Sequence, residues 1–308
     1  MARAPDAASS PDVEVAIVGG GPAGLVAAVQ LARLRHSVTV FDASRSRLAS
    51  IPRTRNFPGA PDGIPGPELL GRLRQQTSRY AIHHVAAQVE ALDRAGAGFR
   101  LGWAAGSMVA RMVLIATGVS DIAPAMPHLE HALSTGLMRY CPVCDGYEVI
   151  DRAVGVIANG PAGVGEALYL RHFTDRLTLF LTSDAAELSA EDSARLASAG
   201  VHVAEGRVVS LRGWEGTIRV RHGERESACD SLYCALGLRV HSSLAKSAGA
   251  STDESGYILT DRHQATSVDG LYAVGDVALG LNQITVAAGT AATASAAMHL
   301  ALRAPGRA

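Results

Sequence analysis

Two thiols separated by two residues stand in the run Cys141-Pro142-Val143-Cys144-Asp145-Gly146. Thiols at this spacing can close a small disulfide ring. Pro142 suits the first turn of a helix, where its missing N–H costs nothing. A helix N-terminus stabilises thiolate through exposed N–H groups and the macrodipole. A thiol of pKa about 8.5 is only a few per cent ionised at pH 7, and one shifted to about 7 is half ionised, roughly a tenfold gain in the nucleophile of dithiol–disulfide exchange. Asp145, next in line, can move the proton. The competing readings are half of a zinc site and two ordinary thiols. Zinc wants a second pair of ligands. The other two of the four cysteines, Cys229 and Cys234, are spaced differently, lie in a run of strand type, and read as buried, inert thiols.

A pair that exchanges electrons needs elements to hold it and a cofactor to drain it, and the N-terminal stretch supplies a pattern for one. Val13 to Val18 is a mostly apolar run of strand type, followed by Gly19-Gly20-Gly21-Pro22-Ala23-Gly24 and a helical stretch from Leu25 to Leu34. A second strand-like run, Ser37 to Phe41, ends on Asp42. Strand, glycines, helix, strand and acid in this order form the dinucleotide fingerprint: Gly19 for the tight turn, Gly21 for close approach of a pyrophosphate, Gly24 for helix–strand packing, and Asp42 for ribose hydroxyls.

The pattern returns, damaged, after the cysteines. Val154 to Ile157 reads as a strand, Gly160 and Gly163 sit in a turn, Glu166 to Leu170 begins a helix, and Leu177 to Leu181 is the next strand. Ala158 occupies the first glycine position and carries a Cβ where the turn prefers none. Thr182-Ser183-Asp184 follows the second strand, with no arginine to clamp a 2′-phosphate. Asp184 would repel that phosphate and could accept from an unphosphorylated ribose. A second nucleotide-type domain is therefore expected, without tight binding of NADPH; NADP(H) or NAD(H) is a doubtful cofactor here.

Bulk properties narrow the classes. The 308 residues are enough for two domains with separate cores, and the net charge of −1 gives no reason to expect nucleic acid or an anionic membrane surface. Met1 to Pro11 is rich in Ala, Ser and Pro without an apolar segment, and reads as a loose tail rather than a signal peptide. Ile284 to Leu302 lacks Asp, Glu, Lys and Arg, yet its Ala, Thr, Ser and Gly content favours a buried helix over a membrane span. A soluble, cytoplasmic protein is expected.

In order along the chain, Gly19 to Gly24, Asn56-Phe57-Pro58-Gly59, Ala116-Thr117-Gly118, Cys141 to Gly146, Tyr272-Ala273-Val274-Gly275-Asp276 and Gln283-Ile284 resemble the low-molecular-weight thioredoxin reductase group of FAD-dependent disulfide oxidoreductases. The likeness runs over nearly the whole chain. It implies an α/β protein with two Rossmann-like (FAD/NAD(P)-binding) three-layer domains. The FAD domain would comprise 1–119 and 239–308, and the inserted nucleotide-binding-like domain 120–238 would carry the cysteine pair. By the same resemblance Gly19, Gly21, Pro22, Ala23 and Gly24 hold the FAD pyrophosphate and Asp42 the adenosine ribose. Asn56, Thr117, Gly118, Gly275, Asp276, Gln283 and Ile284 surround the rest of the flavin nucleotide. Cys144 faces the flavin, Cys141 exchanges with substrate, and Asp145 handles the proton; no metal is involved. A homodimer is implied.

Departures from that group bear on function. It has a glycine at Ala158, and a His-Arg-Arg run with a further Arg where Thr182-Ser183-Asp184 and their neighbours stand, and those residues bind NADPH. Their loss resembles the branch that makes disulfides in natural products, the gliotoxin, holomycin and romidepsin type dithiol oxidases. Against this, oxidases of the gliotoxin and holomycin type have a histidine after the second cysteine, and this chain keeps Asp145. The expected function is FAD-dependent oxidation of a small-molecule dithiol, electrons passing from the cysteine pair to FAD and on to dioxygen or NADP+. His83, His84, His128 and His131 are candidate additional bases. The alternatives are a thioredoxin reductase using NAD(P)H or another donor, with thioredoxin as partner, and a flavin-bound redox sensor.

Overall fold

A computed structural model describes residues 11–183 and 188–304. Asp184 therefore lies outside the described residues. Contacts divide the chain into two compact units: Met1–Ala49 with Pro67–Ser120 and Val240–Ala308, and Ser50–Gly66 with Asp121–Arg239. The chain crosses between them on Val119–Asp121 and Leu238–Val240, two strands that pair with each other. One segment departs from the expected division. Residues 50–66, anticipated in the FAD domain with the rest of 1–119, make their contacts within the second unit. The reason is local: Thr54 and Ile64 bridge to each other, and Arg55 reaches Glu148 at 3.4 Å, so the loop is tied off from the strands that flank it in sequence.

The first unit is built on a seven-stranded sheet in the order Ile82–Val85, Val38–Phe41, Val13–Val18, Gly106–Ile115, Gly98–Trp103, Val89–Ala95, with Leu271–Ala273 also pairing Gly106–Ile115. Val13–Val18 is central and parallel to both neighbours. Its near-continuous apolar composition follows from burial on both faces. One face packs Phe41, Leu92, Phe99, Leu101 and Ile115; the other packs Val40 and Leu114 under the helix Pro22–Arg33 and the last helix, Ile284–Arg303. These layers make the three-layer arrangement. Ile284–Arg303 is long and apolar enough by length and composition to cross a membrane. Its buried residues, Ala287, Ala291, Ala294, Ser295, Met298 and Leu302, recur at helical spacing, and the small ones let it lie closely on Ala27, Ala28 and Leu31 of the first helix.

The second unit repeats the plan on a smaller scale. A parallel sheet runs in the order His202–Val203, Leu177–Leu181, Val154–Ala158, Ser231–Ala235, Met138–Arg139. An antiparallel sheet of Val208–Trp214, Thr217–His222 and Arg225–Cys229 adds to it. Val154–Ala158 and Ser231–Ala235 are buried along their whole length. They form the frame under the cysteine pair.

Candidate active site

The redox run folds as its composition dictates. Cys141 is extended (φ −134°, ψ 92°) and caps the short helix Pro142–Asp145, with Pro142 buried in the first helical position. The N–H groups of Cys144 and Asp145 both donate to the Cys141 carbonyl, at 3.0 and 3.2 Å. This turn brings the two Cα atoms to 5.2 Å, and the sulfurs are joined as a disulfide. Gly146 closes the run because a Cβ there would meet the Phe173 ring at 2.6 Å. In this state the two thiols are spent on each other. Cys229 and Cys234 are buried, and burial pushes each thiol up to about 12, which keeps them protonated and unreactive.

Asp145 is brought to the pair and is firmly held. Its Oδ2 accepts from Arg139 Nη1 at 2.7 Å and its Oδ1 from the Tyr233 hydroxyl at 2.8 Å. Neither partner carries a motif. Tyr233 lies 88 residues away along the chain, so only the folded sheet brings it there. Burial, and then the Asp145 charge, push the Tyr233 phenol well above its ordinary range. Beyond Arg139 opens a polar cavity of about 420 Å³ walled by Arg55, His131, Glu148, Arg152 and Asp230 among others. Of the candidate histidines, His131 stands on this wall, His128 is exposed at the start of the helix Leu129–Ser134, and His83 and His84 are exposed on Ile82–Val85 of the first unit. None of the four is brought into the hydrogen-bonded set around Asp145.

The first glycine loop has the geometry of a phosphate cradle. Gly19 takes φ +125°, and a Cβ on it would fall 2.1 Å from the Ala116 carbonyl oxygen. A Cβ on Gly24 would fall 1.9 Å from the Gly19 oxygen, so the helix packs directly on the turn. Gly21 caps the helix Pro22–Arg33 with no side-chain bond to the first N–H groups, and its open side faces only Ser46 Oγ, at 3.4 Å from an added Cβ. Ser46 Oγ is buried with no partner. An oxygen-rich anion at this loop would give it one. Asp42 is pre-positioned, accepting from Ser44 N–H (2.7 Å) and Arg74 (3.0 Å). Around the same carboxyl ends of the sheet, Thr117 Oγ1 donates to the His241 carbonyl (2.7 Å), Gly118 takes φ +64°, and Gly275 takes φ +70° with its N–H on Thr290 Oγ1 (3.2 Å). Asp276 pairs with Arg47 at 3.5 Å, and Gln283 caps the helix that Ile284 begins. These residues fit a flavin dinucleotide lying across the strand ends. Asn56 is the exception to the grouping: it belongs to the second unit, where its Oδ1 accepts from Thr54 Oγ1 at 2.9 Å.

The second loop is rebuilt rather than merely lacking a glycine. Ala158 ends its strand, Gly160 takes φ +62°, and Pro161 is already helical (φ −63°, ψ −18°) before Ala162–Leu170. A Cβ on Gly163 would lie 2.1 Å from the Ala158 methyl. Thr182 turns back onto the same strand, its Oγ1 donating to the Ala158 carbonyl at 3.2 Å. Glu166 sits beneath this loop. Burial, and behind it the charge of Asp121, push its carboxyl up to about 7.

Residues 13–292 match the family of pyridine nucleotide-disulphide oxidoreductases. The thioredoxin reductase of Treponema pallidum is 30% identical over 296 residues, spanning 92% of this chain and 95% of its own. The crystal structure of HlmI superposes with a TM-score of 0.87 at 30% identity, over 94% of this chain and 92% of that one. The thioredoxin reductase of Streptococcus pyogenes gives a TM-score of 0.87 at 27% identity, over 94% and 98%. A disulfide on a capped turn, a cradle suited to FAD and a second Rossmann-like sheet stand within a family match that spans residues 13–292, and the chain belongs to the pyridine nucleotide-disulphide oxidoreductases as a thioredoxin reductase-like, FAD-dependent disulfide oxidoreductase.

Proposed function

We propose that the enzyme oxidises a small-molecule dithiol to its cyclic disulfide, in the manner of the natural-product dithiol oxidases that the chain resembles. The observation that carries this reading is the contrast between an intact first loop in one unit and, in the other, a formed Cys141–Cys144 disulfide with a second loop closed on itself by Ala158 and Thr182. A reductase needs its nicotinamide donor at that second loop; an oxidase does not. The likeness to HlmI supports the same choice.

In this reading a substrate thiolate attacks Cys141 and Cys144 leaves as thiolate. The second substrate thiol displaces Cys141 and closes the product, and Asp145 moves the proton. FAD, when bound, would supply the two-electron sink for the reduced pair, with dioxygen or NADP+ as the final acceptor. The FAD-binding role falls to Gly19, Gly21, Pro22, Ala23, Gly24, Asp42, Thr117, Gly118, Gly275, Asp276, Gln283 and Ile284, and by the resemblance also to Asn56. We place the protein in the cytoplasm as a homodimer.

A second reading has an observation of its own. Ser183 Oγ and Glu166 Oε2, both beside the second loop, are buried without partners. A nucleotide there would supply partners, favouring NADP+ as acceptor or a thioredoxin reductase with altered donor choice. An anaerobic titration separates the two. Bleaching of the flavin by a generic dithiol but not by NADPH or NADH, with colour returning in air, is expected. Prompt bleaching by either nicotinamide and reduction of thioredoxin overturn the oxidase. Flavin bleaching without multiple turnover on any dithiol would make the protein a sensor.

A further inference from the structure

Asp145 is held by two side chains that face each other across one strand pair. Arg139 and Tyr233 are register partners in the parallel pairing of Met138–Arg139 with Ser231–Ala235. From there each reaches a different oxygen of the same carboxylate, at 2.7 and 2.8 Å. Neither donor is free to move. Arg139 Nε donates to the Gly136 carbonyl (3.1 Å) and to Ser231 Oγ (3.3 Å), while the Ser231 hydroxyl donates to that same carbonyl at 2.8 Å. Tyr233 has no exposed surface, and its hydroxyl also reaches the Asp145 carbonyl at 3.1 Å. A deeply buried phenol stays protonated, so toward the carboxylate it can only donate.

Glu148 follows on the next turn and is drawn off by Arg55 at 3.4 Å. Cys141 and Cys144 carry no charge while joined. The carboxylate thus meets one cation and one fixed hydroxyl donor, one on each oxygen.

We propose that Arg139 and Tyr233 are positioning residues that fix Asp145 in one orientation, so that it meets an incoming thiol as proton acceptor. The inference rests on the reading of Asp145 as the proton-handling group of the dithiol half-reaction. In that step the substrate S–H gives its proton to Asp145 and its sulfur bonds to Cys141 Sγ. The Cys141–Cys144 bond breaks, and its electron pair leaves on Cys144 Sγ. The second thiol then displaces Cys141, whose departing sulfur takes that thiol's proton, and the two electrons lost by the substrate are those gained by the cysteine pair.

The test is the single-turnover rate for reduction of the Cys141–Cys144 disulfide by dithiothreitol, read by alkylation and mass. This needs neither the natural substrate nor an electron acceptor. Asp145→Asn sets the rate without the proton acceptor. Arg139→Gln is expected to lower the rate about tenfold toward that of Asp145→Asn, and to cost little more when the two are combined. Arg139→Lys should restore most of the rate, and Tyr233→Phe should lower it less than Arg139→Gln. Losses that add in full on the Asp145→Asn background overturn the proposal and leave the two residues as fasteners of the redox helix. If Arg139→Gln does not fold, Tyr233→Phe, which removes one oxygen, decides alone. Oxygen uptake by the unaltered enzyme with dithiothreitol reports separately. Non-additive losses without uptake sink the oxidase and keep the clamp; uptake with additive losses does the reverse.

Discussion

Residues 21–24 and 160–163 are the same tetrapeptide, Gly-Pro-Ala-Gly, placed after equivalent strands of the two units, and they do not fold alike. In the first, Gly21 is extended (φ −85°, ψ −173°) and the helix begins at Pro22. In the second, Gly160 is left-handed (φ +62°) and the helix begins at Ala162, with the proline before it. The difference lies upstream. Gly19 adopts φ +125° hard against the Ala116 carbonyl, a conformation closed to a residue with a Cβ, and this swings the chain so that its N–H groups face outward. Ala158 cannot follow, so the turn is made two residues later. The methyl of Ala158 then occupies the space that Gly163 leaves open, and strand and helix stay close without a phosphate-ready loop. One methyl group separates a cradle from a plug.

Gly24→Ala should break the comparison most severely. Its Cβ would be driven to 1.9 Å from a backbone oxygen that cannot retreat. Purified protein should carry less than about a tenth of the flavin per chain, by absorbance, a loss of more than about 1.4 kcal/mol in flavin affinity. Full flavin content in this variant would show that the turn is softer than its contacts say.

Gly163→Ala should cost less and leave flavin in place. The clash there is methyl against methyl, at 2.1 Å, and neither methyl has a torsion to move it, so helix and strand must back off slightly. Overpacking of this kind costs about 1–3 kcal/mol by chemical denaturation. Ala158→Gly should rescue it, because the double substitution moves the methyl back to the helix. A coupling energy near zero in the double-mutant cycle would refute this exchange of methyls.

That exchange marks the limit of what could be read in the chain alone. The first loop was legible because its evidence is local: strand, glycines, helix and acid follow within one βαβ unit, and the required conformations belong to glycine itself. The loss at Ala158 was equally visible. Its compensation by Gly163 was not, since a glycine ending a fingerprint looks the same whether it serves a phosphate or a neighbouring methyl. The cysteine pair and its capped turn were written in the residue spacing. The residues that hold Asp145 were not, because Arg139 and Tyr233 become neighbours only when Met138–Arg139 pairs with a strand far along the chain. The contacts of residues 50–66 within the second unit are illegible for the same reason: their ties, such as Arg55 to Glu148, are long-range ion pairs without a pattern.

The helices after the two loops sharpen the contrast. Where the first has Ala27 fully buried, the second places Glu166 at the corresponding position, with its carboxyl pushed from 4.5 up to about 7. A carboxyl whose pKa is raised on folding binds more protons in the folded than in the unfolded chain between those two values. Stability therefore falls as pH rises from about 4.5 to 7 and stays lowered above that range. Glu166→Gln removes the titration and keeps the shape. The variant should match the parent near pH 5 and exceed it by about 1–2 kcal/mol at pH 8, after discounting for partial exposure. Equal stability differences at both pH values would mean that Glu166 does not carry this load.

The smallest effect is expected at the acid of the first loop. Asp42 Oδ2 receives Arg74, whose side chain is 46% exposed, and Oδ1 receives the Ser44 N–H at 2.7 Å. The exposed ion pair contributes at most about 1 kcal/mol, since water competes for the guanidinium and salt screens it. The backbone bond is the stronger constraint on the carboxylate, because it belongs to the turn and does not depend on a long side chain. Arg74→Ala should therefore leave the fold intact and weaken flavin retention by less than about fivefold, with the difference vanishing at high salt. A larger loss that persists in salt would show that Arg74, rather than the turn, sets the orientation of Asp42. The acid of the first loop would then depend on a neighbouring helix as heavily as the second loop depends on Gly163.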